Sequence, residues 1–419
     1  MKEIKPAKKI NATVRVPGSK SYSHRIAISA ALSNGICNIY NYLNSQDTNY
    51  TLDALQQLGV KIEYNKDKIN VHGSSGRLAP GPKEIFVGNS GTSMRLLTAV
   101  AALGQGPYRL YGTDRMHERP IGELLSALEQ IGVHAGSKND DNCPPVEIRG
   151  GDITGKEVSI DCGTSSQYLS GLLLMAPCTQ NGLDISVSAG PVSRPYVEMT
   201  LDIMSMFGIS YERQGFSFFR VPGGQSYKPG TYKVEADCSQ AGYFWAAAAV
   251  TGGTVTVSGI SPDTRQGDVR FADILANMGC RVEREKDRIT VTGGSLRATD
   301  VDMGDMPDLV PTLAVAAAFA QGTTIIRNAA HLRDKESDRL TATANELSKT
   351  GIEVRVTADG LMITGGSPHG AEIETYDDHR MAMSFAVAGL AAPGIIIRDP
   401  SCVEKSFPGF WEVFERLYK

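Results

Sequence analysis

The sequence predicts an α/β chain of two domains, each assembled from three copies of one repeating unit. Three observations predict it. An amphipathic helix that closes on a glycine and runs into an alternating strand recurs five times at a near-constant interval. A second kind of helix, apolar on every side, recurs six times out of phase with the first. The chain has 419 residues, 41% of them hydrophobic, and single cores stop growing near ~250–300 residues.

The first pattern reads "LDALQQLGVKIEY", "LLSALEQIGVHAG", "LDIMSMFGISYER", "FADILANMGCRVE" and "TANELSKTGIEVR". Each helix ends at Gly59, Gly132, Gly208, Gly279 or Gly351, where glycine supplies the left-handed residue that stops a helix. Leu55, Leu128, Met204, Leu275 and Leu347 stand four residues earlier, the place of a last-turn core contact. The alternation after each glycine is that of a half-buried strand. A second alternating segment follows, such as "KINVHG" or "RITVTGG", and short polar turns mark hairpins in the first, fourth and fifth copies.

The second pattern comprises "SYSHRIAISAAL", "GTSMRLLTAVAAL", "SSQYLSGLLLMAP", "SQAGYFWAAAAV", "PDLVPTLAVAAAF" and "HRMAMSFAVAGLAA". Helices apolar all round lie inside a layer rather than on a surface. They begin near residues 21, 91, 165, 239, 308 and 379. The last copy ends at "WEVFERLYK" without a hairpin, so its missing strands are expected from the N-terminal "INATVRVPG".

The starts of these buried helices carry the polar residues of interest. They hold Lys20, Ser21 and Arg25; Asn89, Gly91, Thr92 and Arg95; Ser165, Ser166 and Gln167; Asp237, Ser239 and Gln240; Asp308; and Asp378, His379 and Arg380. Capping explains the Ser, Thr, Asn and Asp residues. It does not explain Lys20, Arg25, Arg95 and Arg380, because cations at a positive helix end are unfavourable unless an anion joins them. Two readings follow: plain capped core helices, or helix starts that together trap anions.

Other clusters are "RMHERPIGEL", with Arg119 before an amphipathic helix expected to start at Pro120, and "HLRDKESDRL", with Lys335, Glu336 and Arg339. The second reads equally as a solvated helix face or as acid/base groups beside anion contacts. "VSRPYVEMTL" places Ser193 and Tyr196 around a proline, and "SCVEKSFPGFWE" offers Lys405 in a turn.

Several signals fail their own context. "GGDITGKEV" has phosphate-loop spacing, yet Glu157 stands where Ser or Thr belongs and a strand follows. Asp377, Asp378 and His379 have no further His or Cys group to complete a metal site. Seven cysteines without paired spacing read as free thiols. No run of about 18 apolar residues spans a membrane, and "MKEIKPAKKI" lacks the apolar segment of a secretory signal. These features place the protein in the cytoplasm. A net charge of -4 leaves no electrostatic footprint for nucleic acid.

With "PGSKSYSHR", "GNSGTSMR", "RMHERPIG", "SSQYLSGLL", "SRPY", "MPDLVPTLA", "LRDKESDRL", "DDHRMAMSFA" and "EKSFPGF" in this order, the chain resembles the 5-enolpyruvylshikimate-3-phosphate synthase family of enolpyruvyl transferases. The resemblance implies an inside-out α/β fold of six βαβαββ units, three per domain. It implies that residues 1–19 and 235–419 form one discontinuous domain and residues 20–234 the other, with the active site in the cleft between them. The implied reaction moves the enolpyruvyl group of phosphoenolpyruvate onto the 5-hydroxyl of shikimate 3-phosphate and releases phosphate, in a cytoplasmic monomer with no metal or cofactor.

By the same resemblance, Lys20, Ser21, Arg25, Ser165, Ser166, Gln167, Ser193, Tyr196, Asp308 and Lys335 would hold shikimate 3-phosphate. Lys20, Asn89, Gly91, Thr92, Arg119, Gln167, Arg339, Arg380 and Lys405 would hold phosphoenolpyruvate. The addition and the later elimination need a base and an acid, and Asp308, Glu336 and Lys20 are the expected groups. Two positions depart from the family pattern. His331 stands where an Asn contacting shikimate 3-phosphate is expected, and Leu96 where many relatives have Pro, near enough to Gly91 to affect the inhibitor glyphosate.

Three other readings compete. A transferase acting on UDP-N-acetylglucosamine usually carries a Cys in the loop matching "GTDRMHERP", which has none. A non-catalytic anion binder would not call for Asp308 and Glu336 among the cations. An RNA-end-processing enzyme of related architecture would need a basic groove and a nucleotide site.

Overall fold

All five repeat glycines hold a positive φ, from 78° at Gly208 to 110° at Gly279, so each amphipathic helix stops where an L side chain would be strained. The computed structural model describes residues 1–419. The chain divides into two compact lobes, Gly18–Val234 and Met1–Pro17 with Glu235–Lys419.

In the first lobe the two helix types alternate: α1 (Lys20–Leu32), α2 (Gln46–Gln57), α3 (Gly91–Ala101), α4 (Gly122–Gln130), α5 (Gln167–Met175) and α6 (Pro195–Met206). Helices α1, α3 and α5 are buried along nearly their whole length. Small residues allow this close packing: a Cβ on Gly171 of α5 would stand 2.9 Å from the Ala99 side chain and 3.1 Å from the Arg95 carbonyl of α3. Such a substitution would force the helices apart. Three four-stranded sheets surround these helices. In each, one parallel pair precedes two antiparallel pairings, as in Lys83–Phe86, Tyr108–Tyr111, Val146–Arg149 and His134–Ser137.

The second lobe repeats the scheme with α7 (Cys238–Thr251), α8 (Phe271–Asn277), α9 (Val310–Ala318), α10 (Arg339–Lys349), α11 (His379–Ala391) and the short α12 (Phe410–Phe414). Its buried helices are α7, α9 and α11. It has two four-stranded sheets and one of three strands. Six helix–strand copies, three per lobe, make up the α/β fold, and each lobe has its own apolar core. No helix is long and apolar enough to cross a membrane.

Two expectations need correction. The strand of "INATVRVPG", Asn11–Arg15, does not complete the last copy. It pairs in parallel with Thr254–Ser258 of the fourth copy, which buries Val14. The last copy is completed by Lys2–Glu3, antiparallel to Ile396–Ile397. Likewise Thr231–Lys233 joins Ile36–Tyr40 of the first copy, so each lobe's first sheet is closed by a strand distant in sequence. The helix expected from Pro120 starts at Gly122. Ile121 N–H bonds the Asn142 carbonyl, and the Pro120 carbonyl is taken by Arg95 and Tyr168, which holds Arg119–Ile121 as a loop.

Candidate active site

In the first lobe the helix starts bring cations and hydroxyls together. Ser19 caps α1, and Lys20, its first residue, sets Nζ 3.0 Å from Oδ2 of Asp47, a buried residue in the first turn of α2. One turn on, Arg25 is fully buried and donates to Thr200 Oγ1 at 2.7 Å, to Ser170 Oγ at 3.3 Å and to the Ser21 carbonyl at 3.1 Å. Burial pushes its guanidinium down to about 10, with Tyr196 and Tyr22 opposing, so it remains a cation at neutral pH. Ser193 is buried in a left-handed conformation, φ 53°, just before α6, whose first turn carries Tyr196.

The segment Asn89–Thr92 forms a second group. Ser90 caps α3, and Arg119 donates Nη1 to the carbonyl and to Oδ1 of Asn89 at 3.0 and 3.1 Å. A Cβ on Gly91 would run into the Arg119 guanidinium. Thr92 Oγ1 accepts from Gln167 Nε2 at 3.0 Å, and Gln167 Oε1 accepts from Arg95 Nη1 at 3.1 Å. The Gln167 backbone N–H reaches Ser165 Oγ at 3.3 Å, and Ser166 is buried beside it. Asn89 and Arg119 thus form one bonded pair against Gly91, and Thr92, Gln167 and Arg95 a hydrogen-bonded chain that starts at the next residue.

The second lobe gathers carboxylates and guanidinium groups. Asp308 lies in the tight turn Pro307–Leu309 that leads into α9. Its Oδ1 accepts from Arg339 Nη1 at 2.9 Å and its Oδ2 from Arg380 Nη2 at 2.6 Å. Arg339 also donates to Glu336 Oε2 at 2.8 Å and, through Nε, to Asp378 Oδ2 at 2.8 Å. Burial opposes the charge of Arg339, but Asp378, Glu336 and Asp308 outweigh it and hold its pKa above the ordinary value. Arg380 completes its contacts on Tyr243 Oη at 3.1 Å and Ser239 Oγ at 3.3 Å. Arg339 is 1% exposed and Asp308 21%, so the carboxylate reaches solvent from a buried cationic frame.

Around this frame, burial and Lys335 push His331 down to about 4, against the pull of Asp308. A neutral imidazole therefore occupies the position where an Asn was expected. Lys405 closes the turn Pro400–Lys405, which packs on α11, and Gln240 binds the next residue, Ser406, at 3.2 Å.

The charged run 331–339 is not a solvated face, because Arg339 and His331 are buried and the half-buried Glu336 turns in to pair with Arg339. Three participants were not among the expected substrate-binding or catalytic residues, although Asp378 was noted at a helix start. Asp47 and Asp378 have the appearance of ordinary first-turn and capping acids, and only the cations at Lys20 and Arg339 betray them. Asp268 had no signal in sequence. It is buried, one carboxylate oxygen has no hydrogen-bond partner, and burial with Asp308 pushes it up to about 8.

Cationic helix starts with an Asp held between two guanidinium groups are the arrangement that suits small polyanions and a proton moved among them. The fold is that of the enolpyruvyl transferases: the structure of the enolpyruvyl transferase NikO from Streptomyces tendae matches with a TM-score of 0.79 at 22% identity, over 99% of this chain and 96% of that one. The structure of EPSP synthase from Acinetobacter baumannii matches with a TM-score of 0.82 at 30% identity, over 99% and 97%. The family model of EPSP synthase (3-phosphoshikimate 1-carboxyvinyltransferase) matches residues 4–414. The chain is 45% identical to the 3-phosphoshikimate 1-carboxyvinyltransferase of Syntrophobacter fumaroxidans, over 99% of both. It is also 45% identical to that of Methanoculleus marisnigri, over 96% of both. The chain belongs to the EPSP synthase family.

Proposed function

We propose that the protein transfers the enolpyruvyl group of phosphoenolpyruvate to the 5-hydroxyl of shikimate 3-phosphate, a step of aromatic amino acid biosynthesis. The observation that carries this reading is Asp308, a partly exposed carboxylate fixed by Arg339 and Arg380 beside Glu336. A pure anion trap has no use for that carboxylate. A hydroxyl nucleophile does, because it must lose its proton as it attacks.

In this reading both lobes serve one pair of substrates. Lys20, Ser21, Arg25, Ser165, Ser166, Gln167, Ser193, Tyr196 and Lys335 hold shikimate 3-phosphate, with Asp308 at its 5-hydroxyl. Lys20, Asn89, Gly91, Thr92, Arg119, Gln167, Arg339, Arg380 and Lys405 hold phosphoenolpyruvate. The 5-oxygen forms a bond to C2 of phosphoenolpyruvate while C3 gains a proton, giving a tetrahedral phospho-adduct. That adduct loses phosphate from C2 and a proton from C3, which restores the double bond. Asp308 takes the hydroxyl proton, while Glu336 and Lys20 deliver and remove the proton at carbon. The cations stabilise the charge that develops, commonly the larger contribution.

The test is phosphate release from phosphoenolpyruvate, with and without shikimate 3-phosphate. Release is expected to require shikimate 3-phosphate, and Asp308→Asn, which keeps shape and removes the base, is expected to lower kcat by about a hundredfold or more. Release supported by UDP-N-acetylglucosamine instead would overturn the substrate. The reading also takes the protein as a cytoplasmic monomer; sedimentation of the active enzyme checks the oligomeric state and cell fractionation the compartment.

A further inference from the structure

The residues that lead into Asp378 and Arg380 adopt a conformation that their own chemistry does not favour. Tyr376 and Asp377 have φ values of 54° and 51°, two consecutive left-handed residues, neither of them glycine. Such positions persist only where the surroundings over-determine them. The turn closes on a hydrogen bond from Asp378 N–H to the Thr375 carbonyl at 2.8 Å, and the helix that carries Arg380 starts immediately after it.

Helix α10 grips this segment at two points. At its start, Arg339 binds Asp378. Two turns on, on the same face, stands Glu346, a wholly buried carboxylate. Its Oε2 accepts from Glu374 N–H at 3.0 Å and its Oε1 from Tyr376 Oη at 2.7 Å, with Lys349 Nζ within 2.9 Å as counter-charge. A buried carboxylate is costly unless fully partnered, and two of its partners are in this one turn. Burial and Glu346 push the Tyr376 phenol up to about 12, which keeps it a donor.

We infer that Glu346 and Tyr376 are positioning residues for phosphoenolpyruvate: their hydrogen bond holds the left-handed turn that places Asp378, and through it the Arg380 and Arg339 guanidinium groups. This rests on the assignment of Arg339 and Arg380 to phosphoenolpyruvate. Neither Glu346 nor Tyr376 need touch a substrate. Their effect passes through the backbone of Thr375–Asp378.

The experiment compares Tyr376→Phe and Glu346→Gln with the unaltered full-length enzyme, measuring KM for each substrate, kcat and the melting temperature. Tyr376→Phe removes one hydrogen bond from a partly exposed ring and leaves packing intact. In both variants KM for phosphoenolpyruvate is expected to rise about fivefold to tenfold, the scale of one net hydrogen bond whose effect is transmitted through the turn. KM for shikimate 3-phosphate is expected to stay within about twofold, and kcat to fall by less than the phosphoenolpyruvate KM rises, because Arg339 and Arg380 also hold Asp308. An unchanged phosphoenolpyruvate KM in both variants would overturn the inference, and so would an equal loss of kcat/KM for both substrates together with a lower melting temperature. An unaltered enzyme inactive with these substrates would instead overturn the functional reading on which it rests.

Discussion

Gly91 shows how one missing atom can matter. It is the first residue of α3, and a Cβ there would overlap the Arg119 guanidinium, which Asn89 holds from the other side. Arg119 cannot swing away without giving up both bonds to Asn89. Gly91→Ala is therefore expected to displace the Arg119 guanidinium and, on the proposed assignment of both residues to phosphoenolpyruvate, to weaken its binding. KM for phosphoenolpyruvate is expected to rise about tenfold or more, which corresponds to a binding loss of about 1.4 kcal/mol or more. Steady-state kinetics with a melting curve check it, since the fold is expected to survive. This site was legible in sequence because cations at helix starts have no capping role. Asp47 and Asp378 were not, because acids in a first turn or at a cap are ordinary there. Their ion pairs to Lys20 and Arg339 depend on neighbours 27 and 39 residues away.

At the scale of elements, α10 is anchored at its N-terminus by Asp338. The carboxylate accepts from Thr341 N–H at 3.1 Å and Thr341 Oγ1 at 2.7 Å. The helix begins with a cation, Arg339, which the positive helix end disfavours and which Asp378, Glu336 and Asp308 make tolerable. Asp338→Ala is expected to cost about 1 kcal/mol of stability and to weaken phosphoenolpyruvate binding through Arg339. Urea unfolding followed by tryptophan fluorescence measures the first and kinetics the second. Helices of this kind were legible in sequence because their periodicity and their stop glycines are local. The strand Asn11–Arg15 was assigned to the wrong copy for the opposite reason. Its alternation fits any half-buried sheet edge, and its partner Thr254–Ser258 is chosen by the long-range closure of the lobe.

The whole molecule carries a pH dependence that can be read lobe by lobe, because both tryptophans, Trp245 and Trp411, belong to the second lobe. In that lobe Asp268 is pushed up to about 8 by burial, with Asp308 and Asp237 adding to the shift and Arg380 and Arg270 opposing it. An unfolded Asp titrates near ~3.9. Between these values the folded lobe keeps a proton that the unfolded chain releases, so stability falls as pH rises toward 8. His331 acts in the other direction: burial holds it at about 4, against about 6.5 unfolded, so its contribution grows with pH and is complete by about 6.5. Burial also raises Cys238, Cys280 and Cys402, which lowers stability only above the unfolded thiol value near ~8.5. Asp377 is raised less than Asp268. From about pH 6.5 to 8 the slope therefore belongs to Asp268. The melting temperature read by tryptophan fluorescence, with thiols kept reduced, is expected to fall across that window. In Asp268→Asn, which keeps the shape and cannot ionise, the window flattens while the decline above about 8.5 from the cysteines remains. An equal slope in the variant would show that Asp268 ionises freely in the folded lobe and that the buried carboxyl is not what softens it.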